Sequence, residues 1–172
     1  FEREMYLYAA RKAQASGLRY TDDCQLIEAA GALRDAYQEQ MDKYAFQSAI
    51  AEVFKVLARA NKYIDETEPW VLAKDETKKP RLAMVLYNLL ETIRICTVLL
   101  TPFIPDSCKK IFEQIGAEAD ITTWDSAARF GKLPSCASVN KGAAIFPRID
   151  MAKELAELEK AEEERRNGSS AD

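Results

Sequence analysis

Apolar residues recur at steps of three and four along Leu26, Ala30, Leu33, Tyr37, Met41 and Tyr44, one stripe that predicts a helix over about 22–44. A second run sets Phe46, Ile50, Val53, Phe54, Leu57, Ala60 and Ile64 on one face and Glu52, Lys55, Arg59 and Lys62 on the other. This helix is expected to end near Asp65. Thr67 precedes Glu68-Pro69, where a capping hydroxyl followed by proline suits the first turn of a short helix carrying Trp70, Val71 and Leu72. A polar link over 75–79 leads to a long apolar helix opened by Pro80, running to about Leu100 and stopped by Pro102 and Pro105. Asp106 or Ser107 then caps a short helix through Ile115, and Gly116 suits its left-handed end.

From Ala117 to Arg148 the period fades, and Trp124, Phe130, Leu133, Val139, Ile145 and Phe146 are scattered among turn residues. The expectation is an irregular segment that wraps back onto the helices, with room for a short strand pair. Met151, Leu155 and Leu158 begin a last amphipathic helix, charged onward to Arg166, and Asn167-Gly168-Ser169-Ser170 reads as a linker. Before residue 21, Met5, Tyr8 and Ala9 with Arg3, Arg11 and Lys12 permit a helix that Gly17 closes. Helical periodicity thus dominates the chain, with an irregular wrapping segment and a charged C-terminal helix and linker over 151–172.

Composition narrows what such a chain can do. With 172 residues, 48% of them apolar and 30% charged, the chain can bury one core of ordinary size. It contains no histidine, which removes Ser-His-Asp and Cys-His nucleophiles, HExxH proteases and any imidazole base. The six glycines form no phosphate-cradling pattern. Cys24, Cys96, Cys108 and Cys136 lack the CxxC spacing and histidine partners of a zinc site, so no metal is expected, and they read as reduced intracellular thiols. Asn88, Glu91, Thr92 and Arg94 interrupt the apolar run Leu82–Leu100, which marks a buried helix rather than a membrane span.

The net charge of −4 arises wholly beyond residue 149, and the preceding body balances 20 basic against 20 acidic residues. A polyanion would have to be met by a few local contacts, not by a strong field. Asp22-Asp23, Asp65-Glu66-Glu68 and the Glu162–Glu164 run read as solvated faces or caps. The stretch Asn61–Lys74 differs. Its tryptophan, Trp70, directly follows a proline and is flanked by Arg59, Lys62 and Lys74, the ingredients of a base-stacking platform beside phosphate-binding cations. The alternative is a helical protein-protein interaction module, with Trp70 buried as a packing residue and Met151–Leu158 docking on a partner.

The run NKYIDETEPWVLAK resembles the anticodon-binding domain of methionyl-tRNA synthetases. The similarity continues in order through Arg81–Tyr87, Leu99-Leu100-Thr101-Pro102-Phe103-Ile104-Pro105, Trp124, Phe130-Gly131-Lys132-Leu133-Pro134 and Ile145–Ile149, covering about residues 22–150. The resemblance implies an all-α fold, a helical bundle of the class I synthetase anticodon-binding type over 1–150 with 1–21 poorly matched, whose partner is the anticodon stem-loop of a methionine-specific tRNA. It matches Trp70 to a tryptophan that stacks on an anticodon base, and it puts Asn61 and Lys62 on the matching helix end. Arg59 and Lys74 are candidates from local charge alone.

Two positions depart from the family. Its first helix carries an Asn-Leu-x-x-Arg pattern, and the nearest register, Tyr6-Leu7-Tyr8-Ala9-Ala10, keeps only the leucine: in that register Tyr6 and Ala10 replace both anticodon readers, and in any other the family's first helix is lost or replaced. Cys136 stands where glycine is common. The HIGH-type catalytic signature needs histidine and no KMSKS-like string occurs, so this chain alone is not expected to be an enzyme. The resemblance assigns ATP and methionine to a catalytic domain outside the sequence, which would be the chain's protein partner. It also implies a cytoplasmic role in translation, away from membranes.

Overall fold

Five α-helices follow one another between residues 21 and 115 in the computed structural model, which describes residues 21–134 and 139–148, together with positions 151, 154–155, 158–160 and 165. They are α1 (Thr21–Asp42), α2 (Phe46–Thr67), α3 (Pro69–Leu72), α4 (Lys79–Leu100) and α5 (Pro105–Ile115). Turns of 3-10 helix lie at Glu76–Lys78, Ala119–Ile121 and Asp125–Ala128. The chain divides into two units, Phe1–Gly142 and Ala143–Asp172. In the second, Met151, Leu155 and Leu158 are helical and exposed.

In the first unit α1 and α2 form a helical hairpin, and α4 packs against both. The turn between α1 and α2 is made by Tyr44 in the left-handed conformation, with φ of 56°, and its N–H donates to the Met41 carbonyl. That backbone swings the Tyr44 side chain into solvent, so it leaves the stripe that the helical period predicts for it. Leu26, Ala30, Leu33 and Tyr37 of the same stripe are buried.

The inward face of α2 is rotated from the expected one. Ala49, Val53, Val56, Ala60 and Tyr63 are buried, whereas Phe46 and Phe54 are exposed. More of this helix is apolar than one stripe requires. Ala49 packs in the cluster with Val53, Val56 and Leu99, and Ala60 in the one with Leu26, Tyr63 and Val85.

Buried residues Arg94–Leu99 run without a break along α4, the signature of a helix enclosed on all sides. The stretch Glu76–Leu100 is long and apolar enough to cross a membrane, but more than half of its apolar 18-residue window is buried inside the protein. It also carries buried Asn88, Glu91 and Arg94. It is the central helix of the bundle. Its end at Leu100 agrees with the proline stop, but the next helix starts directly at Pro105 after Ile104, without an Asp106 or Ser107 cap. Gly116 adopts the expected left-handed conformation, with φ of 65°.

Residues 119–133, after α5, do wrap back onto the helices, and among the described residues there is no strand pair. Its backbone groups are satisfied instead by two charges of α4. Arg94 donates to the carbonyls of Ile121 (2.9 Å), Ser126 (3.2 Å) and Arg129 (2.9 Å) and to the Ser126 hydroxyl (3.0 Å). Glu91 pairs with Arg94 at 2.7 Å and accepts three successive backbone N–H groups, from Gly131 (2.8 Å), Lys132 (2.7 Å) and Leu133 (3.1 Å). The Tyr87 hydroxyl donates to the Leu133 carbonyl. Side chains thus perform the pairing that a strand ladder would otherwise provide.

Burial also sets how this core responds to base. It pushes the Cys96 thiol up to about 12, and raises Tyr37, Tyr63 and Cys108 above their ordinary values. Unfolded, these groups ionise near their usual values of 9.0 and 10.0, while the folded protein still holds the protons. Stability is therefore fully present below about pH 9 and falls as pH rises, by up to about 1.4 kcal/mol per unit for each group ionised only when unfolded. Urea unfolding from pH 7 to 11 measures it, and a level profile would refute this account.

Candidate nucleic-acid interface

Trp70 is carried on a corner between two helices. Glu68 is at once the end of α2 and the start of α3, and its backbone is left-handed, with φ of 43° and ψ of 61°. This conformation costs a non-glycine residue about 1–3 kcal/mol, so the surroundings must hold it. Its N–H donates to the Ile64 carbonyl, and its own carbonyl accepts from Val71 and Leu72. Pro69 then opens α3, where its missing N–H has no cost. Thr67 is the last residue of α2 instead of the cap of α3, and its hydroxyl donates back to the Tyr63 carbonyl at 2.7 Å.

The four-residue α3 turns Leu72 inward, against the cluster of Leu26, Ala60, Tyr63 and Val85. Trp70 and Val71 face outward, and Trp70 is 51% exposed. The alternative that needs Trp70 buried is corrected by this placement. An indole anchored at its base and open on the surface has the form of a stacking platform, because a planar base needs an uncovered ring face.

The candidate cations differ in how far they are committed. Lys62 is exposed on α2, with Glu66 3.5 Å away, a surface pairing weak enough to be exchanged for a phosphate. Asn61 and Lys74 are also exposed, and Lys74 follows directly on α3. Arg59 is tied into the fold: it pairs with Glu66 at 2.8 Å, donates to the Asp22 carbonyl at 3.1 Å and lies against the Tyr63 ring. Its charge is spent on joining α1 to α2. Lys78 and Lys79 lie against Asp75 and Glu76. Asp75 also caps the 3-10 turn by accepting from the Thr77 N–H and hydroxyl, which holds its carboxyl below the usual range. Tyr6, Ala10 and Cys136 lie outside the described residues. No group of potential metal ligands occurs among the described residues.

Behind the corner lies a buried polar network. Asp23 is fully buried, in contrast to the solvated role that its acidic pair suggests. Arg81 donates to both of its carboxylate oxygens, through Nη2 at 2.9 Å and through Nη1. The Tyr63 hydroxyl donates to Asp23 and accepts from Asn88 at 3.2 Å. These residues join the start of α1, the end of α2 and the first half of α4 directly beneath the Trp70 turn. Their one signal in the sequence is that Asp23 is an acid in the first turn of a helix, which reads equally well as a favourable end charge.

The comparisons with known proteins agree with this architecture. Residues 14–165 match the family model described as the anticodon binding domain of methionyl tRNA ligase. The methionine–tRNA ligase of Caldanaerobacter subterraneus subsp. tengcongensis is 52% identical over 83% of the chain, which covers 22% of that protein. The Clostridium perfringens methionine–tRNA ligase is 41% identical over 90% of the chain, covering 24% of its length. The chain thus spans about a fifth to a quarter of these two relatives. Among solved structures, apo methionyl-tRNA synthetase of Mycobacterium tuberculosis superposes with a TM-score of 0.69 at 27% identity, over 75% of this chain and 26% of that one. A helical bundle with these matches along most of its length belongs to the anticodon-binding domain family of methionyl-tRNA ligases.

Proposed function

We propose that this chain binds the anticodon stem-loop of a methionine-specific tRNA, as the non-catalytic part of a longer methionine–tRNA ligase. The observation that supports it most directly is the half-exposed Trp70 on an internally anchored turn, with exposed Asn61, Lys62 and Lys74 on the adjoining segments. Trp70 stacks on an unstacked loop base, and Lys62 and Lys74 meet the backbone. The bound anticodon then orients the tRNA so that its acceptor end reaches a catalytic domain carried by the rest of the ligase. In this reading ATP and methionine bind there, and the chain itself performs no chemistry. Its setting is cytoplasmic protein synthesis.

Stacking on an aromatic ring is worth about 1–3 kcal/mol per base. Trp70→Ala is accordingly expected to weaken binding of a methionine anticodon stem-loop by about 5- to 150-fold, read by titration at stated salt. Equal affinity of variant and parent would sink the proposal. A stem-loop with a changed anticodon separates reading from mere holding. Discrimination against it indicates sequence-specific recognition, and uniform binding indicates that replacement of the family's readers by Tyr6 and Ala10 has removed specificity.

A further inference from the structure

The Trp70 turn has a left-handed, non-glycine residue at its pivot, and the groups that hold it converge on one side chain. Tyr63 is fully buried one turn before the end of α2. Its carbonyl takes the Thr67 hydroxyl at 2.7 Å, immediately before Glu68. Its ring shares a cluster with Leu72, the inward residue of the helix that bears Trp70. Its hydroxyl reaches across to Asp23 of α1 and receives Asn88 of α4. Asp23 is itself held by the two-pronged contact from Arg81. The phenol oxygen therefore ties the end of α2 to both α1 and α4, beside the link to α1 that runs through Glu66 and Arg59.

We propose that Tyr63 is a positioning residue for nucleic-acid binding: its hydroxyl, locked between Asp23 and Asn88, fixes the angle at which the Glu68 corner presents Trp70. The proposal rests on the anticodon-loop reading above. Hydrogen bonding from a hydroxyl to a carboxylate is directional, whereas the apolar contacts of Tyr63 survive small rotations of the ring. Loss of the hydroxyl leaves the helices packed but lets the end of α2 turn, and the exposed indole moves with it. The effect on RNA passes through Trp70, since Tyr63 has no solvent-facing surface.

The test is a double-mutant cycle between Tyr63→Phe and Trp70→Ala, with affinity for the methionine anticodon stem-loop measured at a temperature where circular dichroism shows every variant folded. Tyr63→Phe is expected to weaken binding about three- to tenfold in the parent, the loss attributable to one hydrogen bond, and to have no effect beyond about twofold when Trp70 is already alanine. Val98→Ala, a core truncation in the separate cluster of Ile95 and Leu99, is expected to lower stability and leave affinity unchanged.

A spectroscopic arm needs no RNA. With Trp124 replaced by phenylalanine, Tyr63→Phe shifts the emission and lowers the anisotropy of Trp70, and Val98→Ala does not. Asn88→Ala, which removes the donor that holds the phenol oxygen from α4, is expected to act in the same direction and serves if Tyr63→Phe does not fold. If Tyr63→Phe leaves both affinity and emission unchanged while Trp70→Ala weakens binding, positioning is overturned and the stacking reading stands. A loss that persists in the Trp70→Ala background likewise overturns it. If Trp70→Ala binds as the parent does, the anticodon reading fails, and positioning for RNA binding fails with it; a shift in Trp70 emission would then mark only a geometric coupling.

Discussion

Arg94→Met is expected to lower the free energy of unfolding by about 3–5 kcal/mol, the usual cost of breaking a fully buried ion pair from one side. Methionine fills much of the volume but supplies no donors to the carbonyls of Ile121, Ser126 and Arg129, which the guanidinium now satisfies in a region closed to water. The Glu91 carboxylate would lose its counter-charge while remaining fully buried. Replacing both members of a buried pair by apolar residues is often tolerated. Here the double variant Glu91→Met with Arg94→Met is expected to stay destabilised, because Glu91 also accepts the N–H groups of Gly131, Lys132 and Leu133. Urea unfolding measures both, and proteolysis within 117–134 should accelerate before global unfolding. A loss below about 1 kcal/mol for Arg94→Met would show that water or backbone shifts replace the guanidinium.

The second large effect is expected at Asp23→Ala, again about 3–5 kcal/mol. The substitution removes the carboxylate that compensates burial of the Arg81 guanidinium, whose side chain is 9% exposed, and takes away the acceptor of the Tyr63 hydroxyl. Adding Arg81→Met to Asp23→Ala should recover part of the loss, since the charge that needed compensation is then gone. This coupling separates the ion pair from a simple packing role, and strictly additive effects would argue against it. Asp23→Asn retains the shape and an acceptor oxygen, and its cost should fall between those of parent and alanine.

The helices were legible before any tertiary structure because their signals are local. Stripes at three and four residues, Pro80 near the start of α4, Pro102 after its end and Gly116 beyond α5 act within a turn or two of chain, and each lies at or within a few residues of an observed boundary. Trp70, Asn61, Lys62 and Lys74 were candidates through local pattern and family resemblance, and the structure leaves all four exposed. Arg59 was read on the solvent face from charge alone, and the structure uses it to bind α1 to α2. Asp23, Tyr63, Arg81 and Asn88 were missed as a group, since their positions in the chain are too far apart for any periodic signal to join them.

What the sequence determined by itself was an all-helical chain without histidine chemistry, and a proline-tryptophan turn whose family could be recognised. The tertiary structure decided which faces meet: α2 turns Ala49, Val53, Val56, Ala60 and Tyr63 inward and leaves Phe46 and Phe54 outward, because the neighbouring helices, not hydrophobicity alone, fix which side of an apolar helix is covered. It also decided which charges are buried. Asp23, Glu91 and Arg94 have the same side chains as residues on any solvated surface, and only the simultaneous arrival of their partners from distant segments offsets the cost of taking them out of water.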